Sequence, residues 1–176
     1  MRKMSTQVKH RAVQLYDYHV WANNKYFDHL RTLPQEVCDT EITSVFSTVN
    51  QVLVHIAKAD MVLLRRMRGD SHDVITAQIG EFIHRLEGQN LAAIEAEYGR
   101  TNAMYEDFLT NHSDLDQIIT YEHPRLGRID VPLVEVMQQV CNHGTYHRGN
   151  LSAMLHQLGH QGAPTDYLLY LYAMNQ

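Results

Sequence analysis

The sequence predicts an all-α protein: a four-helix bundle with a small β-hairpin insertion before the fourth helix and a short C-terminal helix. Four long segments place apolar residues at steps of three and four, which is the period of an amphipathic helix. Two β-prone runs before the last of these segments flank a turn-forming sequence. The joins between the helical segments are short, which favours antiparallel neighbours in a bundle.

The first two helices are recognised by their apolar stripes and by the residues at their ends. The first is predicted over about residues 6–31. The second is predicted near residues 44–68, with Thr43 and Ser44 as candidates for its N-cap. Gly69 follows this segment and is a candidate C-cap, because glycine adopts the left-handed conformation that often ends a helix.

The third helix and the hairpin come next along the chain. One helix is predicted over about residues 79–111, although Gly99 inside it costs roughly 1 kcal/mol relative to alanine. The β-prone runs are residues 117–122 and 128–131, and they flank the turn sequence 124–127. We therefore expect a hairpin that leads directly into the last long helix.

The fourth helix and the closing helix complete the fold. The fourth is predicted to start near Pro132, a favourable first-turn residue, and to run to about Leu158. Residues 164–166 open the closing helix, which is rich in leucine and tyrosine over residues 167–172. Its apolar surface is exposed unless the helix folds back on the core.

Composition limits the class of protein. A chain of 176 residues suits one domain, spanning 1–176. Without a run of 18 apolar residues or a secretory signal, we expect a cytoplasmic protein that does not span a membrane. A net charge of -5 argues against a nucleic-acid partner, which usually requires a basic face. Cys38 and Cys141 form no CxxC motif, and we expect two reduced thiols packed as small hydrophobic side chains.

Two of the twelve histidines form the strongest local signal. His143 and His147 are four residues apart within the apolar stripe of the fourth helix, so their side chains share one face, one turn apart. This spacing allows two imidazoles to bind one cation. It is also compatible with two hydrogen-bonded core histidines, because buried polar groups need partners.

His55 is a third candidate ligand, at the edge of the apolar face of the second helix. If the second and fourth helices meet in the bundle, three imidazoles converge, and three protein ligands with open positions are typical of catalytic metal sites. His19 lies on the stripe of the first helix, where a pocket role and a hydrogen-bonded core role are both open. The remaining histidines fall at helix ends, in loops or on polar faces: His10, His29, His72, His84, His112, His123, His156 and His160.

Three segments carry a resemblance to a known family. They are Tyr-His-Val-Trp-Ala-Asn at 18–23, Asn-Gln-Val-Leu-Val-His-Ile at 50–56, and Asn-His-Gly-Thr-Tyr-His-Arg-Gly at 142–149. In these motifs and their intervals the chain resembles the DinB-like (YfiT-like) family of metal-dependent enzymes over nearly its whole length. Two positions depart from the family pattern: Asn150 stands where the family often has Gln, and Asp60 near where it usually has Glu. We expect neither to touch the three histidines.

The resemblance implies a bundle with a long crossover and one divalent metal ion held by His55, His143 and His147. Nickel and zinc are the metals common in relatives, with iron and manganese as alternatives. Relatives of known activity transfer or add low-molecular-weight thiols, as bacillithiol S-transferases and mycothiol-dependent isomerases do. The metal would then deprotonate a thiol, or, in a metal-dependent hydrolase, activate water.

The roles of two polar residues near these motifs stay open at this point. Arg148 could orient carboxylates of a thiol or form a structural salt bridge. Asp60 could accept a hydrogen bond from a metal ligand or pair with Arg65 or Arg66. Beyond the three ligands, no residue is assigned a catalytic role.

Function and partners follow as expectations. The leading hypothesis is a thiol S-transferase whose partner is a small molecule, a low-molecular-weight thiol, with neither a nucleic-acid nor a membrane partner. A stress-related metal-binding or interaction protein without turnover is the second hypothesis, and a helical scaffold with incidental histidines is the third. The resemblance, together with the apolar closing helix, also predicts a homodimer.

Overall fold

The secondary structure of the computed structural model, which describes residues 9–123 and 125–176, is mainly helical. In chain order its elements are α1 (Arg11–Leu30), a 3-10 turn (Gln35–Cys38), α2 (Val49–Met67), α3 (His72–Leu86), α4 (Leu91–Asn111), β1 (Ile118–His123), β2 (Gly127–Pro132), α5 (Leu133–Gln157) and α6 (Tyr167–Met174). The all-α prediction with one hairpin before the last long helix and a short closing helix is confirmed.

Helix α5 is the centre of the bundle. It packs along both α1 and α2, while α4 completes the bundle against α2 and α1. Helix α3 packs on α2, and α6 packs on α1. Apolar residues of the four long helices fill the interior, including Tyr26, Ile56, Tyr105, Met137 and Leu151, all nearly inaccessible to solvent. The bundle therefore holds α2 and α5 face to face, which is the arrangement that a site between them requires.

The predicted third helix is wrong in its extent. Residues 79–111 do not form one helix, since α3 begins earlier, at His72, and ends at Leu86, before α4 begins. Gly88 turns the chain between α3 and α4 with a φ of +68°, a conformation that glycine adopts at little steric cost. Asn90 then caps α4, because its side-chain oxygen accepts from the amide of Ala93 at 3.0 Å. These two local signals outweigh the continuing apolar period.

The start of α2 also differs from the prediction. Thr48, rather than Thr43 or Ser44, is the N-cap, and its hydroxyl accepts a hydrogen bond from the amide of Gln51 at 3.2 Å. The residues immediately before Thr48 form an irregular loop, so Phe46 lies outside the helix. The predicted glycine at the other end is confirmed, since Gly69 follows α2 with a φ of +82°.

The first and last long helices and the hairpin follow the sequence closely. Helix α1 extends from Arg11, and the predicted helical residues 6–8 lie outside the described part of the chain. The strands β1 and β2 pair antiparallel, from Ile118 opposite Pro132 to His123 opposite Gly127. Pro124 of the predicted turn lies outside the described residues.

Two further expectations concern the cysteines and the membrane. Cys38 and Cys141 are both buried and unpaired, so the prediction of two packed thiols is confirmed. Within residues 9–123 and 125–176, the structure contains no helix with the length and apolar character needed to cross a bilayer.

Candidate metal centre

The structure brings His55, His143 and His147 together at the interface between α2 and α5. The candidate ligand atoms of the three rings all lie within 4.8 Å of one another. The Nε2 atoms of His55 and His143 are 3.3 Å apart, and the ring of His147 lies 4.4 Å, centroid to centroid, from each of the other two rings. The three histidines meet because α2 packs against α5, which was the condition set by the sequence analysis.

The spacing of these nitrogens fits one bound cation. Two nitrogen ligands at about 2.0–2.1 Å from a tetrahedral zinc ion lie about 3.3 Å apart, the same separation as between the Nε2 atoms of His55 and His143. When neither Nε2 carries a proton, the two lone pairs face each other and repel, and a cation between them removes that repulsion. Three neutral nitrogen donors suit zinc, nickel and iron.

Burial keeps the three imidazoles neutral. His147 is buried, and desolvation, followed by the neighbouring His143 and His55, lowers its pKa to about 4. Desolvation also lowers the pKa of His55, with a smaller contribution from Lys58, and it lowers the pKa of His143, with His55 as the next cause. Because only a neutral imidazole can coordinate a metal, the cluster is competent for binding at neutral pH.

Aromatic side chains enclose the cluster. The ring of Phe46, from the loop before α2, lies 5.0 Å from the ring of His55 and 5.6 Å from that of His147. Tyr146 packs edge-on against His147 at 5.0 Å while remaining 66% exposed. A cavity of about 500 Å³ adjoins His55, and Phe46 and Lys58 are among its lining residues. His55 therefore borders a cavity of small-molecule size, while aromatic rings cover His55 and His147 on other sides.

Asn150 contacts the candidate site, contrary to expectation. Its amide nitrogen Nδ2 lies 3.2 Å from Nδ1 of His147. Rotation of the amide places Oδ1 at the same point, where it accepts a hydrogen bond from Nδ1–H. That tautomer leaves the lone pair of Nε2 of His147 free, as a metal ligand requires. Asn150 thus lies where it can fix the orientation and tautomer of one candidate ligand.

His19 is a hydrogen-bonded core residue and lies outside the three-histidine group. It is fully buried, and its Nε2 is 2.9 Å from Oδ2 of Asp60, which is also buried. Pairing with Arg65 or Arg66, one of the two roles left open for Asp60, does not occur, because Arg65 pairs with Asp70 at 3.1 Å and Arg66 donates to the backbone carbonyl of Glu122. Asp60 of α2 contacts His19 of α1 instead. This contact provides a hydrogen-bond partner for a carboxylate that would otherwise be buried alone.

Arg148 of α5 extends this buried network through Asn23, which lies one turn after His19 on the same face of α1. Its Nη1 donates to Oδ1 of Asn23 at 2.9 Å, and Nδ2 of Asn23 is 3.0 Å from Nε2 of His19. Its Nη2 donates to Oγ1 of Thr145, also at 2.9 Å. The expected salt bridge is absent, since no carboxylate of residues 9–123 and 125–176 lies within 4.0 Å of this guanidinium.

Gly144 makes the close approach of α1 and α5 possible. A Cβ atom at this position would overlap the His19 ring and would lie 2.8 Å from Nη1 of Arg148. The backbone of α5 therefore passes His19 at a distance that only glycine permits.

Comparison with known proteins assigns the chain to a family. A family model described as the DinB family matches residues 4–176. The chain belongs to the DinB family. It is 35% identical over 161 residues to Protein DinB of Bacillus subtilis strain 168, covering 92% of this chain and 94% of that protein. The family resemblance seen in the sequence motifs is thus confirmed.

A solved structure supports the same fold. The DinB-like protein of Bacillus cereus ATCC 10987 superposes with a TM-score of 0.62 at 20% identity, covering 89% of this chain and 95% of that chain. The agreement extends across most of both chains, so it establishes the DinB-like helical arrangement for the whole bundle.

Sequence reasoning missed several residues around the DinB-family motifs. Phe46 gave no signal because the second helix was predicted to include it, and a helical Phe46 would not cover the histidines. Tyr146 and Gly144 lie inside the motif at 142–149. The motif alone does not reveal that Tyr146 covers His147 or that Gly144 makes room for the His19 ring. Lys58 could have been found from its position three residues after His55, on the same side of α2.

Proposed function

We propose that this DinB-family protein binds one divalent metal ion through His55, His143 and His147 and uses it in a thiol S-transferase reaction. The observation that carries the proposal is the convergence of three neutral imidazoles, from two helices, within 4.8 Å. Three protein ligands leave coordination positions for a substrate, which distinguishes a catalytic site from a closed structural one. Nickel or zinc is the proposed metal, with iron and manganese as the alternatives to test.

A divalent ion supplies positive charge that favours a thiolate over a thiol near neutral pH. The residues of the chain then have separate tasks. Phe46 and Tyr146 exclude water from two sides of the histidines. Lys58, on the wall of the cavity beside His55, provides a cation for an anionic substrate. The cavity volume of about 500 Å³ is within the range of small-molecule sites, which supports a low-molecular-weight thiol as partner.

The proposed setting is a cytoplasmic homodimer. Leu168, Leu169 and Tyr172 of α6 are exposed, and a second copy of the chain would cover them. Light scattering at micromolar concentration tests this part of the proposal, and a monomeric mass would contradict it.

The proposed reaction is tested with metal-loaded, tag-free protein. Each of cysteine, bacillithiol and mycothiol is mixed with 1-chloro-2,4-dinitrobenzene, so that a C–S bond forms, the C–Cl bond breaks, chloride leaves and the thiol proton passes to solvent. We expect at least one thiol to react with the electrophile faster in the presence of the unaltered protein than in the presence of the His143→Ala variant. For each thiol, the same rate with the unaltered protein and with the variant would contradict the transferase, provided that the unaltered protein holds about one metal per chain. That result would favour a metal-binding protein without turnover. Hydrolysis of p-nitrophenyl acetate under the same conditions would favour the hydrolase.

A further inference from the structure

A second cavity lies on the side of α5 away from the three histidines. Its volume is about 530 Å³, and it is bounded by α1, α5 and the segment 163–167 before α6. Thr145 lines it, and at about 100° per residue Thr145 projects roughly 180° around the α5 axis from the pair His143 and His147. The cavity is therefore separate from the candidate metal centre.

Arg148 is the buried wall of this cavity. Only 2% of the residue is exposed, although arginine is almost never fully buried without a paired charge. Its two hydrogen bonds go to the neutral oxygens of Asn23 and Thr145, and its Nε has no partner in the described part of the chain. The nearest link to a carboxylate runs through Asn23 and His19 to Asp60. The guanidinium thus retains an unused donor and a positive charge without a directly bound carboxylate.

A second guanidinium lies at the rim of the same cavity. Arg11 is exposed, and its Nη1 donates to the hydroxyl of Tyr167 at 3.0 Å. Arg11, Cys141 and Arg148 all line this cavity, and both guanidinium groups act to lower the pKa of the Cys141 thiol, which burial raises. Asp166 is the acidic residue on the lining, and it is exposed.

The remaining polar lining offers neutral hydrogen-bonding groups. Gln138, Asn142 and Ser152 of α5 border the cavity together with Thr165. Two cations and several amides and hydroxyls around a concave site form the pattern that binds an oxyanion and the polar groups attached to it. The apolar share of the lining, which includes Leu15 and Tyr18, would hold a short carbon skeleton.

We infer that the cavity between α1 and α5 binds a small organic anion through Arg11 and Arg148. The recognised group is a carboxylate or a phosphate, both of which match the planar, forked donors of a guanidinium. This site is independent of the metal proposed for the histidines, because it uses none of their side chains.

The test measures binding of two probes, malonate and inorganic phosphate, to the uniformly ¹⁵N-labelled full chain at constant ionic strength. We expect saturable shifts of the amides of Thr145 and Gly149 and of the Nε–H signal of Arg148 with at least one probe. A response to malonate alone assigns a carboxylate, and a response to phosphate alone assigns a phosphate. No saturable shift with either probe would overturn the inference.

The Arg11→Gln variant gives the decisive comparison. Arg11 is exposed, so its replacement leaves the fold intact, and loss of one charged contact is expected to weaken binding about tenfold. Arg31→Gln is the matched control, because Arg31 is an exposed arginine at the opposite end of α1 that pairs with Glu95 and Asp28, away from the cavity. Equal affinity of Arg11→Gln and the unaltered chain would overturn the inference. Metal content is expected to be the same in all three proteins.

Discussion

The imidazoles of His55 and His143 meet across the α2–α5 interface with 3.3 Å between their Nε2 atoms, although 88 positions separate them in the sequence. A metal bound there would join two helices that otherwise hold together by packing alone. Ligands that bind only the native state stabilise it, so metal loading is expected to raise the melting temperature.

Replacing any one of His55, His143 or His147 by alanine should abolish tight metal binding. Each variant retains only two of three ligands, and we expect the affinity to fall at least about 100-fold, since even residues that merely orient ligands are worth about 10–100-fold. Elemental analysis after dialysis measures bound metal per chain. His160→Ala is the control and should keep full occupancy. Full occupancy in the three variants would show that the ligand assignment is wrong.

Metal binding should persist below the pH expected from ordinary histidines. Unperturbed imidazoles have a pKa near 6.5, which from sequence alone predicts weaker binding below about pH 6. In the structure the pKa of His147 is lowered to about 4, and those of His55 and His143 are lowered as well. Protons therefore compete with the metal only at lower pH. Zinc titrations at several pH values between 7 and 4 measure the affinity for zinc as a function of pH. A twofold lower affinity already at pH 6.5 would contradict the prediction.

The metal-free protein should lose stability as pH falls below about 6.5. In the unfolded chain His147 takes up a proton near pH 6.5, whereas in the folded chain its pKa is about 4. Between these values the unfolded state binds more protons, so its free energy falls relative to the native state. Urea unfolding of metal-free protein at pH 7 and pH 5 measures the change. His147→Gln should show a smaller loss between the two pH values than the unaltered chain.

Asn150→Ala should weaken metal binding while leaving the fold intact. The amide of Asn150 lies 3.2 Å from Nδ1 of His147, where it can hold the ring in the coordinating tautomer. We expect metal affinity to fall about 10–100-fold. Asn142→Ala is the matched control, because Asn142 is an exposed asparagine of the same helix. Equal effects of the two substitutions on metal affinity would show that Asn150 has no positioning role.

Gly144→Ala should destabilise the bundle, whereas Gly149→Ala in the same helix should not. The added Cβ at residue 144 would overlap the His19 ring, and strain of this kind costs about 1–3 kcal/mol. The added Cβ at residue 149 meets nothing within 4 Å, and alanine is favoured over glycine inside a helix by about 1 kcal/mol. Thermal unfolding of both variants measures the difference. Unchanged stability of Gly144→Ala would contradict the close packing of α1 and α5.

Periodicity predicted that His143 and His147 share one face and made His55 a candidate partner, while the family resemblance implied the three as one set. His143 and His147 lie on one face by helical geometry alone, and His55 joins them because α2 and α5 both turn their apolar faces inward. The hairpin was predictable for a similar reason, since short β-prone runs around a turn leave few other arrangements.

The break between α3 and α4 was not predicted because two local signals compete there with a longer one. The apolar period continues through Leu86 and Ile94, yet Gly88 and Asn90 favour a turn and a cap. The partner of Asp60 was missed for a different reason. Its nearest arginines are neighbours in sequence, whereas His19 comes close only when α1 and α2 pack together.

Gly144 also limits how this sequence can change over time. A larger residue there requires a smaller one at position 19, but removing the His19 ring leaves the Asp60 carboxylate buried without that partner. Enlarging residue 144 and removing the His19 ring therefore each carry a penalty. Related chains that differ at one of the positions 19, 60 and 144 are expected to differ at the others too, so the three positions should be inherited as a set.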